Sequence, residues 1–512
     1  MRVSRSIIAC AIVAAGWLAV VTAQDGAPVQ QYPSLVSGVS APAIDRGLRL
    51  NDPPREPRRE MEGVRLVPGE PYLRGSIIVK FRAGTGVEAE RAMLAAVDGS
   101  TTRALSYADF DLVAIDPAAD PEAVARQLDA QPDVEYAQAR YLVRPMFVPN
   151  DPLYSRQWNY PAIDMERAWD INPGAAPSII VAVLDSGVAY RPAVVRYNAR
   201  AFRIVNGPSF PALGLIDVPF AAAPDLGPPE RFVSPRDFIW DTALALDLDG
   251  HGTHVAGTIG QATNNSVGGA GMAFNVRIMP VKVIGADWDF IFSSPFQGTD
   301  DVVARGIRYA VDNGAKVINM SIGRTGNPAP VVQEAIAYGV RHGAFVVVAA
   351  GNEFERGNPV ERLAEFAPLI DGMVSVGAIG RDKARAFYST TGSYVELVAP
   401  GGNSRQGGRD GQILQQTFDL SLVETYLSGP ARFRAPRFDT FTYDAFQGTS
   451  MAAPHVSGFA AMLMQQGITS PAAVEAVMKR YATDLGPPGR DNEYGYGLIN
   501  PRSSLRGLGL AK

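Results

Sequence analysis

Four polar residues in this chain have the side-chain types that acyl-transfer chemistry requires. In chain order they are Asp185, His251, Asn352 and Ser450. A hydroxyl nucleophile needs a neutral imidazole to accept its proton, a carboxylate to fix the imidazole, and hydrogen-bond donors for the oxyanion. The four residues supply each of these parts. The sequence therefore predicts a hydrolase that works through an acyl-enzyme.

Each of the four lies where a strand is predicted to end or a helix to begin. Asp185 and Asn352 follow apolar strands, and Ser450 begins a helix, where the dipole and its own N–H favour an oxyanion. Taken singly, such residues are ordinary capping and turn residues. Their joint occurrence within longer motifs favours the catalytic interpretation.

Apolar strands alternate with small-residue helices after residue 150. We predict strands at 179–184, 276–283, 317–320, 344–349, 373–376 and 395–398, and helices at 251–261, 301–313, 330–341, 449–466 and 471–481. Continuous Val and Ile runs indicate strands buried on both faces. The predicted fold class is α/β, a mostly parallel sheet with helices on both faces, with chemistry beyond the carboxyl ends of the strands.

The N-terminal region predicts export. Arg2 and Arg5 precede an apolar run at 7–21, and small residues up to Ala23 indicate a signal peptide over residues 1–23. The run is short for a membrane anchor. A lipid-modified cysteine would come after the apolar run, whereas here the run follows Cys10. Cleavage would remove Cys10, the single cysteine of the chain, which excludes disulfides and thiol catalysis.

Two further regions precede the α/β part. Residues 24–74 are polar and Pro-rich, which predicts a disordered linker. Residues 75–145 predict a small α+β module, with strands at 76–81, 110–115 and 134–143 and helices at 88–97 and 121–130.

Composition excludes several classes of function. The 512 residues are 46% hydrophobic, which allows a large core, and the formal net charge is −5. That charge gives no electrostatic case for nucleic acid or an anionic membrane as a partner. No later segment reaches eighteen apolar residues, so we expect no membrane association after signal removal.

The motifs around the four residues resemble those of the subtilisin-like serine proteases. The matching strings are VLDSGV at 183–188, HGTHVAGT at 251–258, AGNE at 350–353 and GTSMAAPHVSG at 448–458. The resemblance implies that Asp185 orients His251, that His251 acts as general base and then acid, and that Ser450 attacks the peptide carbonyl. It also implies that Asn352 and the Ser450 N–H hold the oxyanion.

The same resemblance implies how substrate binds. Ser321, Ile322 and Gly323 correspond to the family's edge strand, which pairs with an extended polypeptide, and Gly351 lines the site. Glu353 follows Asn352, and Glu365 falls near the first substrate pocket by a loose alignment. Carboxylates there would favour Lys or Arg before the cut; solvated rim charges are the alternative.

Residues 75–145 resemble the family's inhibitory prodomain, which templates folding and is then removed. Residues 150–154 resemble a mature N-terminus, so we expect cleavage between 141 and 150 and a catalytic domain at 150–512. This domain exceeds the compact family core, and the excess lies at 194–240, 285–299, 353–368 and 402–445. We expect surface loops there.

Metal binding is the open question. The chemistry itself needs no cofactor, but residues 263–269 resemble the family's calcium loop, with candidate ligands Thr263, Asn265, Val267 and Gly269. Residues 189–195 lack the carboxylate that the family supplies there, so a weak or lost site remains the alternative. A zinc protease is disfavoured because His251 and His254 are three residues apart with no glutamate between them.

The sequence thus predicts a secreted serine endopeptidase, extracellular or periplasmic, made as a self-processing zymogen. We expect a monomer with polypeptide substrates and its own prodomain as intramolecular inhibitor. A catalytically weak relative that acts in binding is the alternative, and a structural surface protein would show repeats or a sorting signal. His254, His342 and His455 are expected to be structural.

Overall fold

The computed structural model describes residues 63–67, 70–103, 108–142, 147–203, 209–292, 298–423 and 434–507. The predicted signal peptide and residues 24–62 of the predicted linker lie outside this part of the chain. None of the helices it contains is both long and apolar enough to cross a bilayer.

The N-terminal module is an antiparallel sheet with two helices. Its elements are β1 (Arg65–Leu66), β2 (Tyr72–Phe81), α1 (Val87–Ala95), β3 (Ser100–Arg103), β4 (Asp111–Ala114), α2 (Pro121–Asp129) and β5 (Val134–Tyr141). Strand β2 pairs with β1, β4 and β5, and β4 pairs with β3. Its own small core contains Ile77, Val79 and Val113. The predicted helices and the three predicted strands are found, whereas β1 and β3 were not predicted. Strand β1 and the first residues of β2 lie in the stretch expected to be a disordered linker up to residue 74, and their pairing places them in the module instead.

The described residues after this module contain thirteen strands. They are β6 (Ile180–Asp185), β7 (Ala193–Ala199), β8 (Phe202–Arg203), β9 (Ser209–Phe210), β10 (Gly214–Phe220), β11 (Arg236–Asp237), β12 (Arg277–Lys282), β13 (Val317–Met320), β14 (Phe345–Ala349), β15 (Met373–Ile379), β16 (Leu397–Pro400), β17 (Ile413–Phe418) and β18 (Phe441–Phe446).

The same described residues contain ten α-helices. They are α3 (Asn159–Ala162), α4 (Met165–Trp169), α5 (His251–Gly260), α6 (Asp287–Ile291), α7 (Asp300–Asp312), α8 (Pro330–Arg341), α9 (Leu420–Val423), α10 (Thr449–Gln465), α11 (Pro471–Tyr481) and α12 (Pro501–Gly507).

Seven of the strands form one sheet in the order β11-β12-β6-β13-β14-β15-β16, and every pairing in it is parallel. The two faces of β6 enter different hydrophobic clusters, Val181 and Val183 on one side and Ala182 and Leu184 on the other. Helices α5 and α10 contribute to the first cluster, and α7 and α8 to the second. The predicted α/β class is confirmed, because continuous apolar strands require cover on both faces.

Three of the expected surface loops contain strands or an α-helix instead. Strands β7 and β10 pair antiparallel in the first, α6 lies in the second, at 285–299, and β17 pairs antiparallel with β18 in the last. Every residue of β17 is buried, so the prediction of a surface loop is wrong there. The polar run Gln415-Gln416-Thr417 concealed this strand, because buried polar side chains that find hydrogen-bond partners look like loop residues in a sequence.

Candidate active site

The four candidate catalytic residues lie at the same edge of the parallel sheet. Asp185 is the last residue of β6, and Asn352 follows β14 by three residues. His251 begins α5 and Ser450 is the second residue of α10. Parallel strands place their carboxyl ends at one edge, so β6 and β14 deliver these side chains together on either side of β13.

Asp185 and His251 form the tightest contact of the site. Nδ1 of His251 lies 2.7 Å from Oδ1 of Asp185, which also accepts the Ser186 N–H at 2.7 Å. Burial lowers the pKa of His251, but the charge of Asp185 and its hydrogen bond to the ring outweigh that effect. The pKa is raised to about 9 from an ordinary value of 6.5. This pair fixes the ring with Nδ1 protonated and Nε2 available as a base.

Ser450 is held by Ser321, which directly follows β13, and not by the histidine. Its Oγ donates to the carbonyl of Ser321 at 3.1 Å, and the Oγ of Ser321 donates to the carbonyl of Ser450 at 2.7 Å. Within the described ranges no hydrogen bond joins Ser450 to His251. Such contacts are often long in a resting enzyme and tighten when substrate binds.

Two N–H donors converge beside Ser450. A Cβ placed on Gly448 would stand 3.4 Å from Nδ2 of Asn352 and 3.6 Å from the backbone N of Ser450. Gly448 has a φ of +155°, a conformation in which it leaves this point open. The two nitrogens are therefore candidate oxyanion donors, one from a side chain and one from the backbone.

Thr449 orients Asn352, and sequence reasoning missed this role. Oδ1 of Asn352 accepts from both N and Oγ1 of Thr449 at 2.9 Å, while Oγ1 of Thr449 accepts the Gly351 N–H at 3.1 Å. These bonds turn Nδ2 of Asn352 toward the open point at Gly448. The position of Thr449 directly before the serine was the available signal.

The candidate substrate strand is open. Ser321, Ile322 and Gly323 follow β13, and in the part of the chain that the structure describes the peptide groups of Ile322 and Gly323 enter no backbone hydrogen bond. Such groups can pair with an extended chain.

The profile of the Subtilase family matches residues 177–497, and that of the fervidolysin N-terminal prodomain matches residues 59–139. The chain belongs to the subtilase family. It is a serine endopeptidase with an N-terminal prodomain, and subtilases need no cofactor for their chemistry.

Named relatives of this subtilase are proteases. It is 28% identical over 438 residues to the thermophilic serine proteinase of Bacillus sp. strain AK1, across 85% of this chain and 88% of that one. It is 30% identical over 403 residues to an extracellular protease of Xanthomonas campestris pv. campestris, across 76% of this chain and 62% of the relative. Proteases from Pseudoalteromonas arctica PAMC 21717 share the fold with a TM-score of 0.53 at 26% identity, over 70% of this chain and 99% of theirs.

The other buried histidines of the subtilase are structural. His254 stacks on Phe446 at 4.3 Å and its Nε2 lies 3.0 Å from the carbonyl of Ile413. His455 bonds the Met451 carbonyl through Nδ1 and Asn159 through Nε2, both at 2.8 Å. Burial lowers their pKa values to about 3 and about 4, so both rings are neutral at physiological pH.

The loop predicted to bind calcium is organised around two carboxylates that sequence reasoning missed. Asp151 accepts the backbone N–H groups of Asn264 and Asn265 at 2.7 and 3.1 Å. Asp225 accepts Nδ2 of Asn265 at 2.8 Å. Both carboxylates lie far from this loop in sequence, and Asp225 comes from the region expected to be a surface loop.

The donor set around Asp225 does not fit a calcium ion. Its Oδ2 accepts Nε2 of Gln261 at 2.6 Å and the hydroxyl of Tyr443 at 3.0 Å. Calcium requires six to eight oxygen ligands, whereas Asn265 directs its amide nitrogen to Asp225 and its oxygen to the Val267 N–H. Gln261 also donates to the Gly269 carbonyl at 3.2 Å. The described residues hold no cluster of three His, Cys, Asp or Glu suited to a metal.

Glu353 and Glu365, the acidic residues expected near the substrate pocket, both form local ion pairs. Glu353 lies 3.1 Å from Arg356 with 37% of its side chain exposed, and Glu365 lies 2.7 Å from Arg362. The geometry favours the alternative that these carboxylates are rim charges.

Replacing Asn352 tests the side-chain donor. In Asn352→Ala we expect kcat to fall by roughly 10²–10³, about 3 kcal/mol of transition-state stabilisation, with KM nearly unchanged, because the oxyanion develops only after binding. Steady-state kinetics on a peptide substrate measures this, with the exposed Asn313→Ala as control. An unchanged kcat would remove Asn352 from the mechanism.

The raised pKa of His251 sets the expected pH profile. Catalysis needs the neutral imidazole, so activity is lost as pH falls through the pKa of the free enzyme. Measured between about pH 6 and about pH 10 on a substrate without titratable groups, kcat/KM should rise with an alkaline inflection. An inflection at or below the ordinary value of 6.5 would contradict the coupling to Asp185.

Proposed function

We propose that this subtilase hydrolyses peptide bonds through Asp185, His251 and Ser450, is exported, and matures by cutting off its own prodomain. The observation that carries the catalytic part is the 2.7 Å contact between His251 and Asp185 at the sheet edge where Ser450 also lies. A buried carboxylate that fixes an imidazole beside a serine is the arrangement that activates a hydroxyl.

In the proposed mechanism the hydroxyl of Ser450 leaves the Ser321 carbonyl and gives its proton to Nε2 of His251 as its oxygen attacks the substrate carbonyl. The Ser450 N–H and Nδ2 of Asn352, which lie on the same side of Gly448, donate to the oxyanion that forms. The imidazolium, stabilised by Asp185, then protonates the leaving amine. A water molecule, deprotonated by the same imidazole, hydrolyses the acyl-enzyme.

The proposed substrates are extended polypeptides. The open peptide groups of Ile322 and Gly323 would pair with the substrate main chain as an added strand, which gives affinity without regard to side chains. Ser321 links this strand to the nucleophile, because its carbonyl accepts from Ser450.

The proposed precursor has a signal peptide at 1–23, a linker that starts at 24 and ends before β1, a prodomain from β1 to 145 and a catalytic domain at 150–512. The match to the fervidolysin prodomain supports an intramolecular inhibitor, and the Xanthomonas relative is named an extracellular protease. We propose cleavage between 141 and 150 and a monomeric product released to the periplasm or the medium.

Replacing Ser450 tests self-processing and catalysis in one experiment. Ser450→Ala removes the nucleophile, so the purified variant should keep the prodomain covalently attached while the wild type loses it, as mass spectrometry will measure. Wild type should also hydrolyse casein and form a serine adduct with a sulfonyl fluoride. Normal processing of Ser450→Ala would assign maturation to another protease, and an inert wild type would favour the binding alternative.

We also infer that the loop at 263–269 is stable without calcium, since Gln261, Asn265 and Tyr443 already satisfy Asp225. EDTA should leave the Tm of the protein unchanged. Tyr443→Phe removes one donor to a buried carboxylate and should cost about 1–3 kcal/mol of unfolding free energy. A Tm that falls in EDTA and returns with added calcium would contradict this inference.

A further inference from the structure

A buried carboxylate outside the proposed triad lies between two glycines of the candidate site, Gly323 and Gly351. This residue is Glu361, which is only 6% exposed. A Cβ added to Gly351 would stand 3.4 Å from Cβ of Glu361, and a Cβ added to Gly323 would stand 2.5 Å from its Oε2. The side chain therefore extends from one glycine to the other, and only glycine leaves it room at Gly323.

The close hydrogen bonds of this carboxylate go to one of its oxygens. Oε1 accepts the backbone N–H groups of Arg324 at 2.5 Å and Leu363 at 3.2 Å. The backbone N–H of Arg362 also lowers the pKa of this carboxyl, while it donates to the Arg324 carbonyl at 2.9 Å. The two bonds to Oε1 fix the carboxylate, so Oε2 is directed toward Gly323.

The cations nearest to Glu361 are engaged elsewhere. The guanidinium of Arg324 makes two bonds of 2.8 Å to Asp300, and that of Arg362 pairs with Glu365 at 2.7 Å. Burial raises the pKa of Glu361 to about 8 despite its backbone donors. A buried carboxylate without a cation is costly, and a positively charged group brought to Oε2 would offset that cost.

The two glycines also flank the bond to be cut. Gly351 directly precedes Asn352, and Gly323 is two residues beyond Ser321, whose carbonyl contacts Ser450. A substrate carbonyl placed at Ser450 and Asn352, with its main chain along Ile322 and Gly323, directs the side chain of the residue before the cleaved bond between the glycines. This step rests on the proposed function of the site.

We propose that Glu361 closes the pocket for the residue preceding the cleaved bond and selects Lys or Arg there. Oε2 accepts a charge-assisted hydrogen bond from the ammonium or guanidinium. Glu361 thereby takes the selective role that Glu353 and Glu365 were expected to have.

The test uses peptides that differ only in the residue before the cleaved bond, with Arg, Lys, Gln or Leu at that place. Wild-type kcat/KM should favour Arg and Lys over Leu by at least about tenfold, the effect of one charge-assisted contact. Glu361→Gln should lose this ratio, because a neutral amide no longer distinguishes a cationic side chain from an apolar one. The matched control is Glu355→Gln, which breaks the exposed pair with Arg405 and should keep the ratio.

Equal use of the Arg and Leu peptides by the wild type, or a ratio that survives in Glu361→Gln, would overturn the proposal. Each preparation is first titrated with a fluorophosphonate that labels the active serine. If the wild type takes no label and cleaves no peptide, both the proposed function and the proposed pocket are wrong. Full labelling with no basic preference would refute the pocket alone.

A second measurement decides the case in which Glu361→Gln does not fold. Benzamidine, a small cation, should inhibit wild-type cleavage of the Leu peptide competitively, and its neutral analogue benzamide should inhibit at least about tenfold more weakly. Equal inhibition by the two compounds would overturn the role of Glu361.

Discussion

The active site depends on the register of three neighbouring parallel strands. Val183 in β6 lies opposite Asn319 in β13, and Met320 lies opposite Val348 in β14. This register brings Asp185 and the segments after β13 and β14 to the same edge. A slip of one residue would move each side chain to the opposite face of its strand. Both faces of β6 are buried in apolar clusters, so such a slip would place polar groups in the core.

A second layer of polar groups keeps the site rigid. Asp247 accepts from Ser186 Oγ at 2.9 Å and from the N and Oγ1 of Thr253 at 3.0 and 2.6 Å, which ties the end of β6 to the start of α5. Thr449 does the same for Asn352 at the start of α10. Donors and bases held in place before the reaction need no reorganisation during it, which is how electrostatic catalysis gains most of its effect.

The sequence allowed prediction of whatever depends on continuous patterns or short motifs. The apolar strands, the long helices and the four candidate catalytic residues all lie in such segments. Strand β17 was missed because Gln415 and Gln416 are satisfied only by residues distant in sequence, Tyr160 and Tyr443. Asp225 and Glu361 were not predicted for a related reason, because their neighbours are set by tertiary packing. Alignment by spacing pointed to residues 189–195 for the calcium carboxylate and to Glu365 for the substrate pocket.

Gly448 is required by its backbone conformation and not by crowding. A Cβ there would meet Nδ2 of Asn352 and the backbone N of Ser450 at 3.4 and 3.6 Å, which is ordinary van der Waals contact. Its φ of +155°, however, is one that residues with a side chain rarely adopt. An alanine at this position would strain the backbone directly before α10, and it would place a methyl group beside the two candidate oxyanion donors.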